Sequence, residues 1–135
     1  MNSKYTALIE KNLERFAIAE SMDNGKPLWL SRSVDIPRAV SNFHFYATAA
    51  LHLHDESHSM GSLAINYTTR TPIGVEGCIS PWNLPLYLFT WKIAPALASG
   101  NCVVAKPSEI TPMTAYLLAE LSIEAGMPAG VLNIV

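Results

Sequence analysis

Charged residues are scarce in this 135-residue chain, and neither sign of charge dominates. They make up 15% of the sequence, whereas roughly 25% is usual for a soluble domain. The 9 basic and 11 acidic side chains are spread along the chain. No basic face is therefore available to neutralise phosphates, and we expect no nucleic-acid partner. Because 50% of the residues are hydrophobic, we expect part of the surface to pack against another surface.

Long apolar runs are also missing. The most apolar stretch, residues 84–98, is interrupted by Lys92 and two prolines. It falls short of the roughly 20 residues that a membrane span needs. The N-terminal apolar stretch before Glu10 is too short for the core of a signal peptide. The sequence therefore predicts no membrane association and a cytoplasmic location.

Cysteine is rare, and the two thiols do not suggest a paired site. Cys78 and Cys102 lie in apolar, strand-like runs without Cys-x-x-Cys spacing, which favours buried reduced thiols over a disulfide or a metal pair. His52, His54 and His58 are close in sequence, but their segment is polar and loop-like. A metal site would need a fourth ligand on a defined scaffold, so we predict no bound metal.

Two amphipathic helices are predicted before residue 54. In the first, apolar residues recur from Tyr5 to Phe16 at helical spacing, and Gly25 marks its end. The second begins at Asp35, a good N-cap, with Pro37 in its first turn, and its apolar stripe is expected to pack on a sheet. The polar run 54–62 predicts a loop, and the alternation in residues 62–72 predicts a half-exposed strand. The apolar stripe of the second predicted helix consists of Ile36, Ala39, Val40, Phe43, Ala47, Ala50 and Leu51.

From residue 73 onward the sequence alternates between strand and helix patterns. Short apolar runs at 73–79, 102–105 and 131–135 are typical of buried parallel strands. Helices are predicted at 85–99, closed by Gly100, and at 112–125, capped by Thr111 and closed by Gly126. This order predicts the α/β class, as an incomplete doubly wound, Rossmann-like parallel sheet preceded by amphipathic helices.

Two polar motifs follow the first two strands of this sheet. Right-handed crossovers place both motifs at the edge where α/β sheets bind their ligands. In the first motif, the Asn83 amide could stabilise an alkoxide that forms at an aldehyde oxygen, or it could only N-cap the next helix. In the second, Lys106 and Glu109 could grip a ribose diol together, or could form only an exposed ion pair. The motifs read Ile79-Ser80-Pro81-Trp82-Asn83-Leu84-Pro85 and Lys106-Pro107-Ser108-Glu109.

In these motifs, and over nearly its whole length, the chain resembles the cofactor-binding half of the NAD(P)-dependent aldehyde dehydrogenases. The resemblance implies a small-molecule aldehyde substrate, a nicotinamide cofactor, and Asn83 as the donor to the developing oxyanion. Glu109 favours NAD, because its carboxylate would repel the extra phosphate of NADP. The chain has no Gly-x-Gly-x-x-Gly fingerprint, and the family lacks it too. The implied cofactor contacts are Ile79, Ser80, Pro81, Trp82, Lys106, Ser108 and Glu109.

The resemblance also implies that parts of the enzyme lie outside this sequence. The family's cysteine nucleophile, glutamate base and main pyrophosphate-binding helix have no counterpart in residues 1–135. We therefore expect a fragment that is inactive alone; the alternative is a truncated, inert chain that acts only as an interaction or structural fragment. For the parent enzyme we expect a homodimer or homotetramer, with residues 62–72 a strand of the bridging hairpin through which subunits oligomerise.

Candidate substrate contacts lie beside Asn83 and in the second predicted helix. Leu84, Tyr87, Leu88 and Trp91 follow i, i+3, i+4, i+7 spacing. Such a stripe could be core packing, whereas the family implies that it lines the aldehyde tunnel.

Arg38 is a cation in a predicted first turn, where it opposes the helix dipole unless it binds an anion. A solvated arginine is the alternative. However, Asp35-Ile36-Pro37-Arg38 resembles the branch of the family that acts on 2-aminomuconic and 2-hydroxymuconic semialdehydes. This likeness implies that Arg38 binds the carboxylate of an acidic semialdehyde.

Overall fold

A computed structural model describes residues 2–135 of the chain, and its side chains from Lys4 onward. The first predicted helix is divided into α1 (Asn2–Lys11) and α2 (Leu13–Asn24). The division falls at Asn12, whose backbone angles of φ −106° and ψ 17° depart from helical values. Gly25 then ends α2 as predicted, in a left-handed conformation with φ 75° that glycine adopts without steric cost.

The second helical segment begins earlier than predicted. It runs through α3 (Leu28–Leu30), a π-helical turn (Ser31–Asp35), α4 (Ile36–Ala49) and a final 3₁₀ turn (Ala50–His52). The prediction that Asp35 is an N-cap is wrong, because its backbone is helical and its buried carboxylate accepts a hydrogen bond from Lys26 Nζ at 2.7 Å. Asp35 is therefore part of an internal ion pair.

The buried part of the predicted stripe packs on helices and not on a sheet, whereas Leu51 at its end is 79% exposed. Ile36, Ala39 and Phe43 are fully buried, and α4 lies mainly against α1 and α5 (Pro85–Ala98). The Phe43 ring stacks on Tyr5 of α1 with 4.9 Å between the ring centroids. The predicted partner was wrong because the preceding helix, which is also amphipathic, supplies an apolar face for α4 to cover.

A two-stranded antiparallel hairpin follows α4. Its strands are β1 (Ser57–Ser59) and β2 (Ile65–Tyr67), with Ser57 opposite Tyr67. β2 lies within the predicted strand at 62–72, but the predicted loop at 54–62 contains β1. Periodicity could not detect β1, because its three residues are all polar. Every residue of both strands is exposed.

The second half of the chain forms a parallel sheet. Its strands are β3 (Val75–Ile79), β4 (Cys102–Lys106) and β5 (Leu132–Ile134), in that order. They are connected by α5 and by α6 (Met113–Glu124), so the predicted β-α-β-α-β order and the α/β class are confirmed. Ile79 pairs with Lys106, and Ala105 with Ile134, so the carboxyl ends of the strands are aligned.

Within the described chain, this sheet is covered on one face only. Val103 and Ala105 are fully buried, whereas Val104 between them is 38% exposed. On β3, Cys78 is buried but Val75 and Ile79 are 67% and 69% exposed. Among residues 2–135, the prediction of buried strands therefore holds for one face and is wrong for the other, because α5 and α6 contact each other and cover the same side.

The first turn of α6 is not capped as predicted. The Thr111 hydroxyl is buried and has no hydrogen-bond partner among the described residues. The Met113 N–H donates instead to Asp23 Oδ2 of α2, at 2.7 Å. The carboxylate of another helix therefore takes the role that the sequence assigned to Thr111.

Candidate functional site

The two polar motifs begin side by side at the carboxyl edge of the sheet. Ile79 and Lys106 are paired residues at the ends of β3 and β4, and the Ser80 N–H donates to the Lys106 carbonyl at 3.0 Å. The Ile79 carbonyl accepts a hydrogen bond from Lys92 of α5. The convergence predicted from chain order is therefore confirmed for the backbone of both motifs.

Asn83 lies in the loop that leads into α5, and its side chain is exposed. Leu84 occupies the N-cap position, and no side chain hydrogen-bonds there as a cap. Among the described residues we find no hydrogen bond to the Asn83 amide. The structure therefore does not support the alternative in which Asn83 only caps the helix. The side-chain N–H donors of Asn83 remain available for a ligand at the positive end of α5.

The other residues of the first motif differ in solvent exposure and in hydrogen bonding. Trp82 is 56% exposed, Pro81 is exposed, and the Trp82 carbonyl accepts a hydrogen bond from Asn24 Nδ2 of α2 at 2.8 Å. Ser80 is only 5% exposed, yet its hydroxyl has no hydrogen-bond partner within the described chain. A buried polar group usually has a partner, so Ser80 has unused hydrogen-bonding capacity at this edge.

Lys106 and Glu109 form an ion pair, with 3.0 Å between Nζ and Oε2. The side chains are 50% and 79% exposed, so this contact contributes little to stability. The pKa of Glu109 is lowered by a hydrogen bond from its own backbone N–H and then by Lys106, which keeps the carboxylate ionised. Ser108 is half-buried, and its carbonyl accepts the Thr111 N–H at 3.1 Å. The ion-pair alternative is therefore realised, but both charged groups are accessible to a ligand.

The helical stripe after Asn83 is not part of the core. Leu84, Tyr87 and Leu88 are half-buried and Trp91 is 50% exposed, because α5 buries another face that contains Leu86, Phe89 and Ile93. The core-packing alternative is thus ruled out for this stripe, which forms an accessible apolar wall.

Arg38 lies over this wall. Its guanidinium carbon is 5.1 Å from the centre of the Tyr87 ring, and Tyr87 stacks on Trp91 with 5.3 Å between centroids. Because the helical path starts at Leu28, Arg38 is not in a first turn, and the dipole argument for an anion does not apply. The structure nevertheless places the exposed cation against the predicted substrate wall.

The sequence reasoning missed a group of polar residues near the end of α2. Glu20 is fully buried, and its carboxylate accepts the Leu86 N–H of α5 at 3.3 Å and lies 3.5 Å from Lys26 Nζ. Burial raises the pKa of Glu20, against the opposing effects of Lys26, Leu86 and Thr114. The sequence carried a signal for Asp23 only: it lies in the last turn of α2, where the helix dipole disfavours a carboxylate, so it needs a partner elsewhere.

The two cysteines are poor candidates for a nucleophile. Cys78 is 7% exposed, and burial, followed by the nearby Glu76, raises the pKa of its thiol. Cys102 begins β4 and is half-buried. Among residues 2–135, no group of three or more His, Cys, Asp or Glu side chains could hold a metal ion, and no helix is long and apolar enough to cross a membrane.

Comparison with known proteins gives a consistent result over the chain. The sequence model of the aldehyde dehydrogenase family matches residues 2–135. A human 2-aminomuconic semialdehyde dehydrogenase is 58% identical over 129 residues, which cover 95% of this chain and 26% of that protein. A 2-hydroxymuconic semialdehyde dehydrogenase from Pseudomonas sp. strain CF600 is 51% identical over 131 residues, 94% of this chain and 27% of the relative.

Solved structures share the fold. The NAD⁺ complex of an aldehyde dehydrogenase from Bacillus cereus superposes with a TM-score of 0.96 at 40% identity, over 99% of this chain and 27% of that structure. The chain thus spans only about a quarter of the length of the relatives that it matches.

Proposed function

This chain belongs to the aldehyde dehydrogenase family, and we propose that it is part of the cofactor-binding half of an enzyme that oxidises an aldehyde to a carboxylic acid with NAD. The observation that carries the proposal is the exposed Asn83 amide at the N-terminus of α5, which has no hydrogen-bond partner among the described residues. It lies in the motif that begins beside Lys106 at the carboxyl edge of the sheet.

The residues at this edge fit a dinucleotide. Lys106 and Glu109 are accessible and can exchange their mutual contact for the hydroxyls of a ribose. The buried Ser80 hydroxyl lacks a partner in the described chain and can hydrogen-bond a polar group brought to the edge. Ile79, Pro81, Trp82 and Ser108 complete the proposed contacts. When bound, NAD supplies the hydride acceptor, and a homologous structure contains NAD⁺.

Asn83 stabilises negative charge in the proposed reaction. As a thiolate adds to the aldehyde carbon, the carbonyl oxygen becomes an alkoxide, and a fixed amide donor lowers the energy of that transition state. Neither Cys78 nor Cys102 has the exposed, activated environment that a nucleophile requires. We therefore assign the attacking thiolate and the general base to sequence outside residues 1–135.

We propose an acidic semialdehyde, such as 2-aminomuconic semialdehyde, as the substrate. Leu84, Tyr87, Leu88 and Trp91 provide the apolar wall, and Arg38 provides a cation above it. A guanidinium can bind a carboxylate through two parallel hydrogen bonds. The names of the similar human and Pseudomonas proteins indicate the same class of substrate.

For the complete enzyme we propose a cytoplasmic homodimer or homotetramer. The support is the exposed β1–β2 hairpin, whose apolar side chains Ile65 and Tyr67 are 74% and 70% exposed. A hairpin with such side chains favours pairing with another chain.

The test is a complete enzyme in which this segment replaces the part of the human relative that it matches, which we call the chimera. The chimera should reduce NAD when given 2-aminomuconic semialdehyde. Asn83→Ala should slow the chemical step by about 10² to 10³, because one oxyanion donor is lost, while NAD affinity changes little. The matched control is Asn12→Ala, which removes an amide outside the edge. Normal single-turnover NADH formation in Asn83→Ala would contradict the proposed role.

A further inference from the structure

Two residues near the end of α2 hydrogen-bond the loop that carries Asn83, one before Asn83 in sequence and one after it. Glu20 and Asn24 are four residues apart and therefore lie on the same face of the helix. Asn24 Nδ2 donates to the Trp82 carbonyl at 2.8 Å, and Glu20 Oε2 accepts the Leu86 N–H at 3.3 Å. One contact precedes Asn83 and the other follows it.

The Asn24 contact acts directly on the backbone of Asn83. A peptide unit is planar, so the Trp82 carbonyl and the Asn83 N–H lie in one rigid plane. A hydrogen bond to that carbonyl fixes the orientation of the plane. It therefore also fixes the direction in which the chain continues from this plane into Asn83. One N–H of the Asn24 amide is thus engaged by the protein.

The anchor at the end of α2 is itself rigid. Glu20 is fully buried and lies 3.5 Å from Lys26 Nζ, and Lys26 is fixed by Asp35 at 2.7 Å. The left-handed Gly25 turns the chain so that Lys26 can reach back to both carboxylates. Removal of one partner from such a buried cluster is costly, so the cluster resists displacement.

We propose that Asn24 is a positioning residue that orients Asn83 toward the reacting carbonyl, with Glu20 fixing the far side of the same loop. This inference rests on the proposed function, in which Asn83 is the oxyanion donor. Its energetic reason is that a displacement of about 1 Å in a catalytic group can lower a rate by about 10²-fold. Asn24 therefore affects the reaction only through Asn83.

The first experiment is Asn24→Ala in the chimera. The single-turnover rate of NADH formation should fall by roughly 10- to 100-fold, while the KM for the aldehyde and the Kd for NAD stay near their original values. Asn12→Ala is the matched control, because Asn12 Nδ2 also donates to a backbone carbonyl, that of Leu8, at 2.9 Å. An equal effect of the two substitutions, or no effect of Asn24→Ala, would overturn the inference.

The decisive experiment is the double variant Asn24→Ala/Asn83→Ala. If Asn24 acts through Asn83, the double variant is no slower than Asn83→Ala alone, whereas independent effects multiply. Asn24→Asp, which keeps the shape but loses the donor, is the second variant if Asn24→Ala does not fold. A slow Asn83→Ala with a normal Asn24 variant rejects only this inference. A normal Asn83→Ala rejects the proposed function and this inference with it.

Discussion

Glu109 determines the choice of cofactor in our proposal. Its carboxylate is ionised and exposed at the sheet edge, and it would repel the additional phosphate of NADP. In the chimera, Glu109→Gln should therefore narrow the NAD-to-NADP ratio of kcat/KM, mainly by improving the use of NADP. Glu10→Gln removes the same charge from an exposed site on α1 and serves as the control. An unchanged ratio would mean that Glu109 does not reach the ribose.

In our proposal, Arg38 determines the choice of substrate. Arg38→Ala removes the cation above Tyr87 and should raise the KM for an acidic semialdehyde by about 10-fold, because a charge-assisted hydrogen bond is lost. Simple aliphatic aldehydes should be unaffected, because they have no carboxylate to bind. Steady-state kinetics with both substrate types measures the difference. Arg15→Ala, at an exposed ion pair on α2, should change neither KM, and parallel losses for both aldehydes would make Arg38 a structural residue.

At the scale of elements, α2 stabilises the first turn of α6 through Asp23. Asp23→Ala leaves the Met113 N–H without its acceptor, which should cost about 1 kcal/mol of local stability. Hydrogen exchange of the amides at the start of α6 should then be about five times faster in the chimera.

The control for this experiment is Glu120→Ala, because Glu120 forms the exposed contact between α6 and Arg15 of α2 at 2.7 Å. A surface pair of this kind contributes little, so exchange should stay close to normal. Similar acceleration in both variants would mean that general α2–α6 packing, and not the cap, protects the first turn.

The sequence predicts those elements whose signals are local. Periodicity located α5, α6 and the three parallel strands, and glycine located the ends of α2, α5 and α6, where Gly25, Gly100 and Gly126 all have positive φ. Sequence patterns failed to predict a contact where a residue elsewhere in the chain replaced the expected local partner. Asp35 pairs with Lys26 and is not a cap, and Asp23 replaces Thr111 at the start of α6.

The same distinction applies to the site. The two motifs at the sheet edge could be predicted, because strand order and crossover handedness determine where they lie. The contacts of Glu20 and Asn24 could not be predicted, because their partners are backbone groups of Leu86 and Trp82. Every residue has such backbone groups, so residue identity does not reveal which of them are bound. Only Asp23, an acidic residue in the last turn of α2, indicated that this end of the helix needs a partner from elsewhere.

At the scale of the whole molecule, the described chain leaves apolar side chains exposed on one face of its sheet. The open face of the sheet exposes Val75, Ile79 and Val104, and Ile73 beside it is 86% exposed. Exposed apolar surface of this kind is normally covered by other protein. The isolated chain should therefore self-associate, and a monodisperse monomer in sedimentation velocity would contradict this.

The same sample should not oxidise aldehydes. With NAD and a panel of aldehydes, absorbance at the NADH wavelength should stay at background, because Cys78 is buried with a raised pKa and Cys102 is part of a strand. The chimera is the positive control. Turnover that disappears on Cys78→Ala or Cys102→Ala would overturn the assignment of the nucleophile to other sequence.

The carboxylates of α2 also impose an order of events during synthesis. Glu20 and Leu86 are 66 residues apart in sequence, and Asp23 and Met113 are 90 residues apart. At ribosomal rates of about 5 to 20 residues per second, Asp23 waits roughly 5 to 18 seconds for its partner. During that interval the dipole of α2 and its own acidic end repel each other, so the nascent helix is least stable at this end. The N-terminal helices therefore acquire their final stability only after the ribosome has translated the start of α6.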